Sequence, residues 1–175
     1  MALRATIEDL RALINQPARR VERERYEFSM RPEGFPRGAL IELNGAGKTE
    51  VLSQFLAENS KLRVAWVEED LTIYPNALAQ RNVTLSQLLF VEARKDVLWA
   101  TIQVLRSNLF DCVVLSVHKL FEEKNLRRLQ LESEKGHVGI FFLTEETHTA
   151  WPVALQIKIV RGDGRVFLNV IREKA

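Results

Sequence analysis

Apolar and polar positions change their period several times along the chain, and each change marks a predicted element. Short apolar runs alternate with segments in which apolar residues recur every three or four positions. The runs predict buried strands, and the longer spacing predicts amphipathic helices. The predicted elements, in order, are strand 39–43, helix 48–59, strand 62–68, helix 74–81, strand 88–92, helix 95–107, strand 112–117, helix 120–134 and strand 139–143.

The end of the chain has a different pattern. Apolar and polar residues alternate with period two over 155–160 and 165–171, and Gly162-Asp163-Gly164 lies between these segments. This pattern predicts an antiparallel β-hairpin. Because the preceding strands alternate with helices, they predict a mainly parallel sheet with helices on both faces. We therefore expect an α/β fold that ends in an antiparallel hairpin.

The first part of the chain predicts a helix and a charged arm. Apolar residues recur at helical spacing over residues 3–16, and Pro17 ends the helix. We therefore divide the chain into an N-terminal helix and arm, 1–34, and a core domain, 35–175. The arm's candidate partner or DNA contacts are Arg19, Arg20 and Arg23. Since glutamates interleave with these arginines, a solvated arm is expected, with nucleic-acid contact and oligomer formation as alternatives.

Composition narrows the class of protein. The 175 residues are 46% hydrophobic and 27% charged, with a net charge of +2, as in ordinary soluble domains. Apolar runs are far shorter than the roughly 18 residues that cross a bilayer, so no membrane partner is expected. Acids among the first ten residues argue against a signal peptide and favour a cytoplasmic protein. The single cysteine, Cys112, excludes an internal disulfide and is expected to be buried.

A truncated phosphate-binding motif follows the first predicted strand of the core. A P-loop reads G-x-x-x-x-G-K-[ST], and its backbone N–H groups surround phosphate. Here Gly47, Lys48 and Thr49 are present, but Glu42 stands at the position of the first glycine and the nearest glycine is Gly45. Three missing residues remove about 10 Å of chain. A closed turn without cofactor is expected, with ATP and Mg²⁺ held at the helix start as the alternative.

Three further segments resemble a known family. The sequences VAWVEEDLTIYP over 64–75, NVTLSQLL over 82–89 and LRSNLFDCVVLSV over 105–117 are similar in order and spacing to the RecA recombinase fold. Within it the chain most resembles the small RecA-like accessory proteins of the ImuA/SulA-like group, over residues 35–171. The resemblance implies a RecA-like, P-loop NTPase-type sheet.

Departures from the family bear on function. The Walker B strand of RecA-type ATPases ends in an acid that holds Mg²⁺ and its waters, whereas here it ends Val114-Leu115-Ser116. Asp70 stands where the family has a water-activating glutamate, and the loop over 144–151 is short and acidic where recombinases contact DNA. The resemblance therefore implies an accessory protein of DNA-damage-induced mutagenesis that contacts proteins of the mutagenesis or recombination machinery and has no ATPase activity.

Two other functions remain open. A small ATPase would use Lys48 and Thr49 with Asp70 as its catalytic acid. A DNA-binding module would use the arginines of the arm with Arg127 and Arg128 of a predicted helix. Trp151 follows the acidic loop and is either a partner anchor, a base-stacking platform, or a side chain packed over the sheet edge.

The remaining polar and aromatic candidates have simpler interpretations. No histidine or cysteine spacing matches a metal site, so no metal is predicted. We expect surface or capping histidines at His118, His137 and His148, solvated strand-end charges at Glu68, Glu69 and Asp70, and core positions for Trp66 and Trp99.

Overall fold

A computed structural model of the chain describes residues 24–174. The predicted helix over 3–16 and the arginines Arg19, Arg20 and Arg23 lie outside the described residues. Their roles, and an oligomer formed through the arm, stay predictions. No described helix is long and apolar enough to cross a membrane.

The described elements follow the order predicted for the core. The strands are β1 Arg25–Tyr26, β2 Phe35–Pro36, β3 Leu40–Asn44, β4 Val64–Glu68, β5 Leu88–Glu92, β6 Cys112–Ser116, β7 Gly139–Thr144, β8 Val153–Gly162 and β9 Arg165–Glu173. The helices are α1 Lys48–Glu58, α2 Pro75–Ala79, α3 Val97–Arg106 and α4 Glu123–Gly136.

One seven-stranded sheet organises the chain, in the order β5-β4-β6-β7-β3-β8-β9. Neighbouring strands from β5 to β8 are parallel, and β9 pairs antiparallel with β8. Asp163 and Gly164 between β8 and β9 have φ of 49° and 71°, as the tight turn of a two-residue hairpin requires. The predicted α/β class, with its mainly parallel sheet and C-terminal antiparallel hairpin, is confirmed.

Helices cover both faces of the sheet. Helix α1 packs through Val51, Leu52, Phe55 and Leu56 against one apolar face, and α3 and α4 pack through Ile102, Leu105, Leu126 and Leu129 against the other. Cys112 and Trp66 are buried as predicted, but the expectation of a core position for Trp99 is wrong, since its side chain is 64% exposed. The buried residues of α3 are Thr101, Ile102 and Leu105, and Trp99 lies on the side away from the sheet.

Part of the predicted arm belongs to the core. Tyr26 and Phe28 are buried among the aromatic rings of the α1 face. The Tyr26 hydroxyl donates to the carbonyl of Asp111 at 2.5 Å and accepts from the N–H of Gly139 at 2.9 Å. Because a Cβ at Gly139 would lie 2.8 Å from the Tyr26 ring, glycine permits this approach. Burial raises the pKa of Tyr26 above its ordinary value.

The Tyr26 hydroxyl is expected to contribute to stability because it joins the segment before β2 to the starts of β6 and β7. Tyr26→Phe leaves the Gly139 N–H and the Asp111 carbonyl without their partner, which costs about 1–3 kcal/mol of unfolding free energy. Urea-induced unfolding measures the loss. Tyr74→Phe, at a side chain 62% exposed, is the control and should change little. Equal losses in the two variants would contradict this role.

Candidate functional site

A three-residue turn joins β3 to α1 where a P-loop would stand. Gly45 and Gly47 adopt φ of 102° and 101°, conformations that favour glycine. The N–H of Lys48 bonds to the carbonyl of Gly45 at 3.3 Å. A Cβ at Gly45 would lie 2.3 Å from the carbonyl oxygen of Ile159 on β8. The turn is therefore short and seated directly against the neighbouring strand.

A shallow, open depression of about 300 Å³ lies in front of this turn. Gly45, Gly47, Lys48 and Thr49, which sequence analysis grouped as nucleotide-binding residues, all line it. The other lining residues are Ala46, Glu50, Arg81 and Arg161. Glu50 bonds to the Arg161 guanidinium and lies 3.6 Å from a guanidinium nitrogen of Arg81. Both arginines thus already share a carboxylate of α1.

The ammonium group of Lys48 is paired within the protein. Its Nζ lies 2.5 Å from Oε1 of Glu145, the first residue after β7. The Asn44 amide donates to the carbonyls of Thr144 and Glu145 at 3.1 and 2.6 Å, which holds the end of β7 beside the end of β3. The Lys48 side chain is only 17% exposed, whereas that of Glu145 is 73% exposed. The Glu145 carboxylate therefore pairs with the lysine ammonium group that would contact phosphate in a P-loop.

A buried carboxylate lies beneath this contact. Glu42 in the middle of β3 is fully buried, and its Oε1 lies 2.5 Å from Nδ1 of His148. Glu42 also accepts from the His148 N–H at 3.1 Å, the Thr144 hydroxyl at 3.1 Å and the Gln156 amide at 2.6 Å. Because His148 Nε2 accepts from the N–H of Phe121 at 3.0 Å, Nδ1 carries the proton that faces Glu42.

This cluster corrects the sequence analysis. The expectation of a surface or capping role for His148 is wrong, since the residue is 3% exposed. In the sequence pattern Glu42 stands out only as the residue at the position of the first P-loop glycine. The position of Glu42 within an apolar strand is the sequence signal for a buried cluster, because a buried carboxylate requires several hydrogen-bond donors. Nothing in the sequence shows that the donors come from the loop after β7.

The acidic residues at the end of β4 also separate into two environments. Glu68 is 3% exposed and accepts from the Trp66 indole at 2.9 Å and from the N–H of Thr72 at 2.5 Å, so the expectation of a solvated Glu68 is wrong. Glu69 and Asp70 are exposed. Two strands, β6 and β7, separate β4 from β3, which places the strand ends about 14 Å apart. Asp70 is not among the residues that line the depression.

Metal ligands are not grouped in the described part of the chain. Within residues 24–174, no three His, Cys, Asp or Glu side chains are placed to bind one metal ion. Strand β6 ends at Ser116, which is half-buried and offers a hydroxyl rather than a carboxylate.

A second candidate site lies on the far side of the acidic loop. The Trp151 ring is exposed, with the Arg127 guanidinium 4.8 Å and the Lys174 ammonium 4.7 Å from its centroid. Arg172 donates to the carbonyl of Ala150 at 2.8 Å and so holds the loop in place. Three residues, Trp151, Arg127 and Lys174, form what we call the Trp151 surface. The structure thus brings together two predicted contact residues, Trp151 and Arg127, while Arg128 lies exposed on the same helix.

The chain matches no protein-family profile, and no curated protein matches it. Function is therefore inferred from the side-chain geometry of these two sites together with the sequence resemblance.

The Glu42–His148 pair is expected to hold the loop after β7 in place. Leaving a buried group without its hydrogen-bond partner costs about 1–3 kcal/mol, so His148→Ala should lower the unfolding free energy by at least that order. His118→Ala, at an exposed histidine, is the matched control and should stay near wild type. Urea-induced unfolding of both variants checks this, and a loss in His148→Ala no larger than in the control would contradict it.

Proposed function

We propose that this protein is a RecA-like accessory protein of the DNA-damage response that acts through protein contacts and does not hydrolyse ATP. The mainly parallel sheet supports the RecA-like assignment, as does the Gly-Lys-Thr sequence that begins in the turn after β3 and continues into α1. So do the similar segments over 64–75 and 105–117. The role in translesion mutagenesis rests on the resemblance to ImuA-like proteins, which is an argument by analogy.

One observation carries the non-catalytic part of the proposal: the turn from Gly45 to Gly47 is closed. Its backbone lies so close to the Ile159 carbonyl that even a methyl group at Gly45 would clash. A P-loop surrounds phosphate with successive N–H groups of a longer loop, and a three-residue turn does not have them. The sheet therefore keeps the motif's last three residues without its phosphate cradle.

The pairing of Lys48 with Glu145 also opposes phosphate binding at the turn, but more weakly. An exposed ion pair contributes only about 0–1 kcal/mol, so phosphate would displace Glu145 at little cost if the turn were otherwise suitable. The short turn is the larger obstacle.

Hydrolysis would need further groups that the described residues do not place at the turn. Phosphoryl transfer depends on a metal ion and a positioned water. Strand β6 offers Ser116 in place of a carboxylate, and Asp70 follows the end of β4, which is separated from β3 by two strands. The carboxylate that lines the depression, Glu50, already bonds to Arg161.

Protein contact is supported by the Trp151 surface. Tryptophan and arginine are enriched among the residues that dominate binding energy at protein interfaces. Trp151 stays 49% exposed although the loop that carries it is held by hydrogen bonds.

A second function, nucleotide binding at the shortened turn, is favoured by one observation. Lys48, Arg81 and Arg161 line the depression at the start of α1, where helix N–H groups attract anions. A titration with a fluorescent ATP analogue separates the two functions.

We expect no micromolar binding of a fluorescent ATP analogue with Mg²⁺ by wild type, by Lys48→Ala or by Glu145→Ala. If the turn is the obstacle, removing the Glu145 carboxylate does not restore binding. Anisotropy titration of the three proteins measures this. Wild-type binding that is lost in Lys48→Ala would favour the nucleotide-binding function. Binding gained only in Glu145→Ala would show that the ion pair, rather than the turn, excludes nucleotide.

The accessory role predicts specific partners. A pull-down from cells with damaged DNA should recover a translesion polymerase, a clamp or a recombinase component, and Trp151→Ala should recover less. Trp99→Ala is the matched control, since Trp99 is also exposed but lies on α3, away from this surface. Recovery of none of these components by wild type would refute the proposed role.

A further inference from the structure

The exposed side of α4 carries three cations that form no ion pair with a described residue. Lys124, Arg127 and Arg128 stand three and four residues apart, a spacing at which like charges on a helix repel. None of the three belongs to an ion pair among the described residues. Glu132, one turn from Arg128, bonds instead to Arg106 at 2.8 Å and lies 3.6 Å from Lys135. Within the described chain these three cations thus form no close ion pair, although the exposed Glu123 stands four residues before Arg127 on the same helix.

The Trp151 surface adjoins these three cations of α4. Arg127 belongs to both, because its guanidinium lies over the Trp151 ring, and its Nη1 donates to Gln130 at 2.8 Å. Lys174 places a second cation over the same ring. We call the combined set, Lys124, Arg127, Arg128, Trp151 and Lys174, the basic-aromatic surface.

The loop that presents Trp151 within the basic-aromatic surface is held in place by hydrogen bonds. Arg172 fixes the backbone at Ala150, the buried His148 anchors the loop to β3, and Pro152 follows Trp151 directly. A surface whose anchor side chains are held before binding loses less conformational entropy when a partner docks. Leu131, 41% exposed and one turn beyond Arg127, adds an apolar position beside the charges.

We propose that the basic-aromatic surface binds an acidic, extended peptide segment of a partner protein. Carboxylates of the peptide pair with Arg127, Arg128 and Lys124, and an apolar side chain of the peptide contacts Leu131 and the edge of Trp151. The proposal rests on the proposed partner-binding function and gives the chemistry of the partner.

Two observations favour a peptide over single-stranded nucleic acid. A base stacks on a free aromatic face, whereas two cations already lie over the Trp151 ring. The loop that carries Trp151 also contains the exposed carboxylates of Glu145 and Glu146, which repel a continuous phosphate backbone. A short peptide places its charges on α4, meets this loop only at Trp151, and avoids the end that carries Glu145 and Glu146.

Selection from a phage-displayed library of random peptides tests the proposal. The bait is the wild-type chain, and counter-selection uses the double variant Arg127→Gln with Arg128→Gln, whose folding is checked by circular dichroism. The recovered peptides should be rich in Asp and Glu with an apolar residue among them. They should lose at least about ten-fold in affinity, roughly 1.4 kcal/mol, on the double variant. Arg94→Gln with Arg165→Gln, which removes two exposed charges elsewhere, should bind them like wild type.

Intrinsic fluorescence locates the binding. In a Trp99→Phe background the tryptophans are the buried Trp66 and the exposed Trp151, so a selected peptide should change the emission of the exposed one. No selected peptides, no excess of acidic residues, or equal binding to the double variant would overturn the proposal. Tighter binding of a thymidine oligonucleotide that is lost in the double variant would also overturn it, in favour of nucleic acid.

Two outcomes distinguish a failure of the peptide-binding proposal from a failure of the proposed cellular role. If the pull-down recovers damage-response proteins equally well with wild type and with the Arg127→Gln, Arg128→Gln variant, the function stands and this surface is excluded. If acidic peptides bind as described but no damage-response protein is recovered, the surface stands and the cellular role is excluded.

Discussion

The carboxylate of Glu42, buried in the middle of β3, is the constraint on which the loop between β7 and β8 and both candidate sites depend. A buried ion costs several kcal/mol unless its oxygens receive donors. Here the donors come from β8 through Gln156 and from the segment after β7 through Thr144 and His148. The loop from β7 to β8 must therefore fold back over β3. Its conformation is set by the hydrogen bonds that the Glu42 carboxylate requires.

Both candidate sites follow from this folded-back loop. Its first residue, Glu145, reaches Lys48, and Trp151, near its other end, lies beside α4. The Lys48–Glu145 pair is too exposed to hold the loop, because such pairs contribute about 0–1 kcal/mol. The hydrogen bonds around the buried Glu42 contribute more to holding the loop in place. The ion pair forms because the loop already lies there. One structural element thus pairs with Lys48 beside the short glycine turn and builds the surface proposed for partner binding.

Features governed by residues close in sequence were predictable. Period-two alternation and the turn residues Asp163 and Gly164 predicted the hairpin, and the count of residues between Gly45 and Gly47 predicted the short turn. The environments of Glu68, Trp99 and His148 were not predictable, because burial there depends on elements distant in the chain. Trp99 sits in an apolar helix yet faces solvent, and Glu68 follows apolar residues yet is enclosed by its own loop.

The sequence by itself determined the strands and helices of the core, the antiparallel hairpin, the shortened glycine turn and the lack of a carboxylate at the end of β6. Each of these depends on spacing within about a dozen residues. Only the tertiary structure decided that Glu42 meets His148, 106 residues later, and that Arg127 lies against Trp151. Contacts at that separation are set by the order of strands in the sheet and by the burial of charge, and no local pattern encodes them.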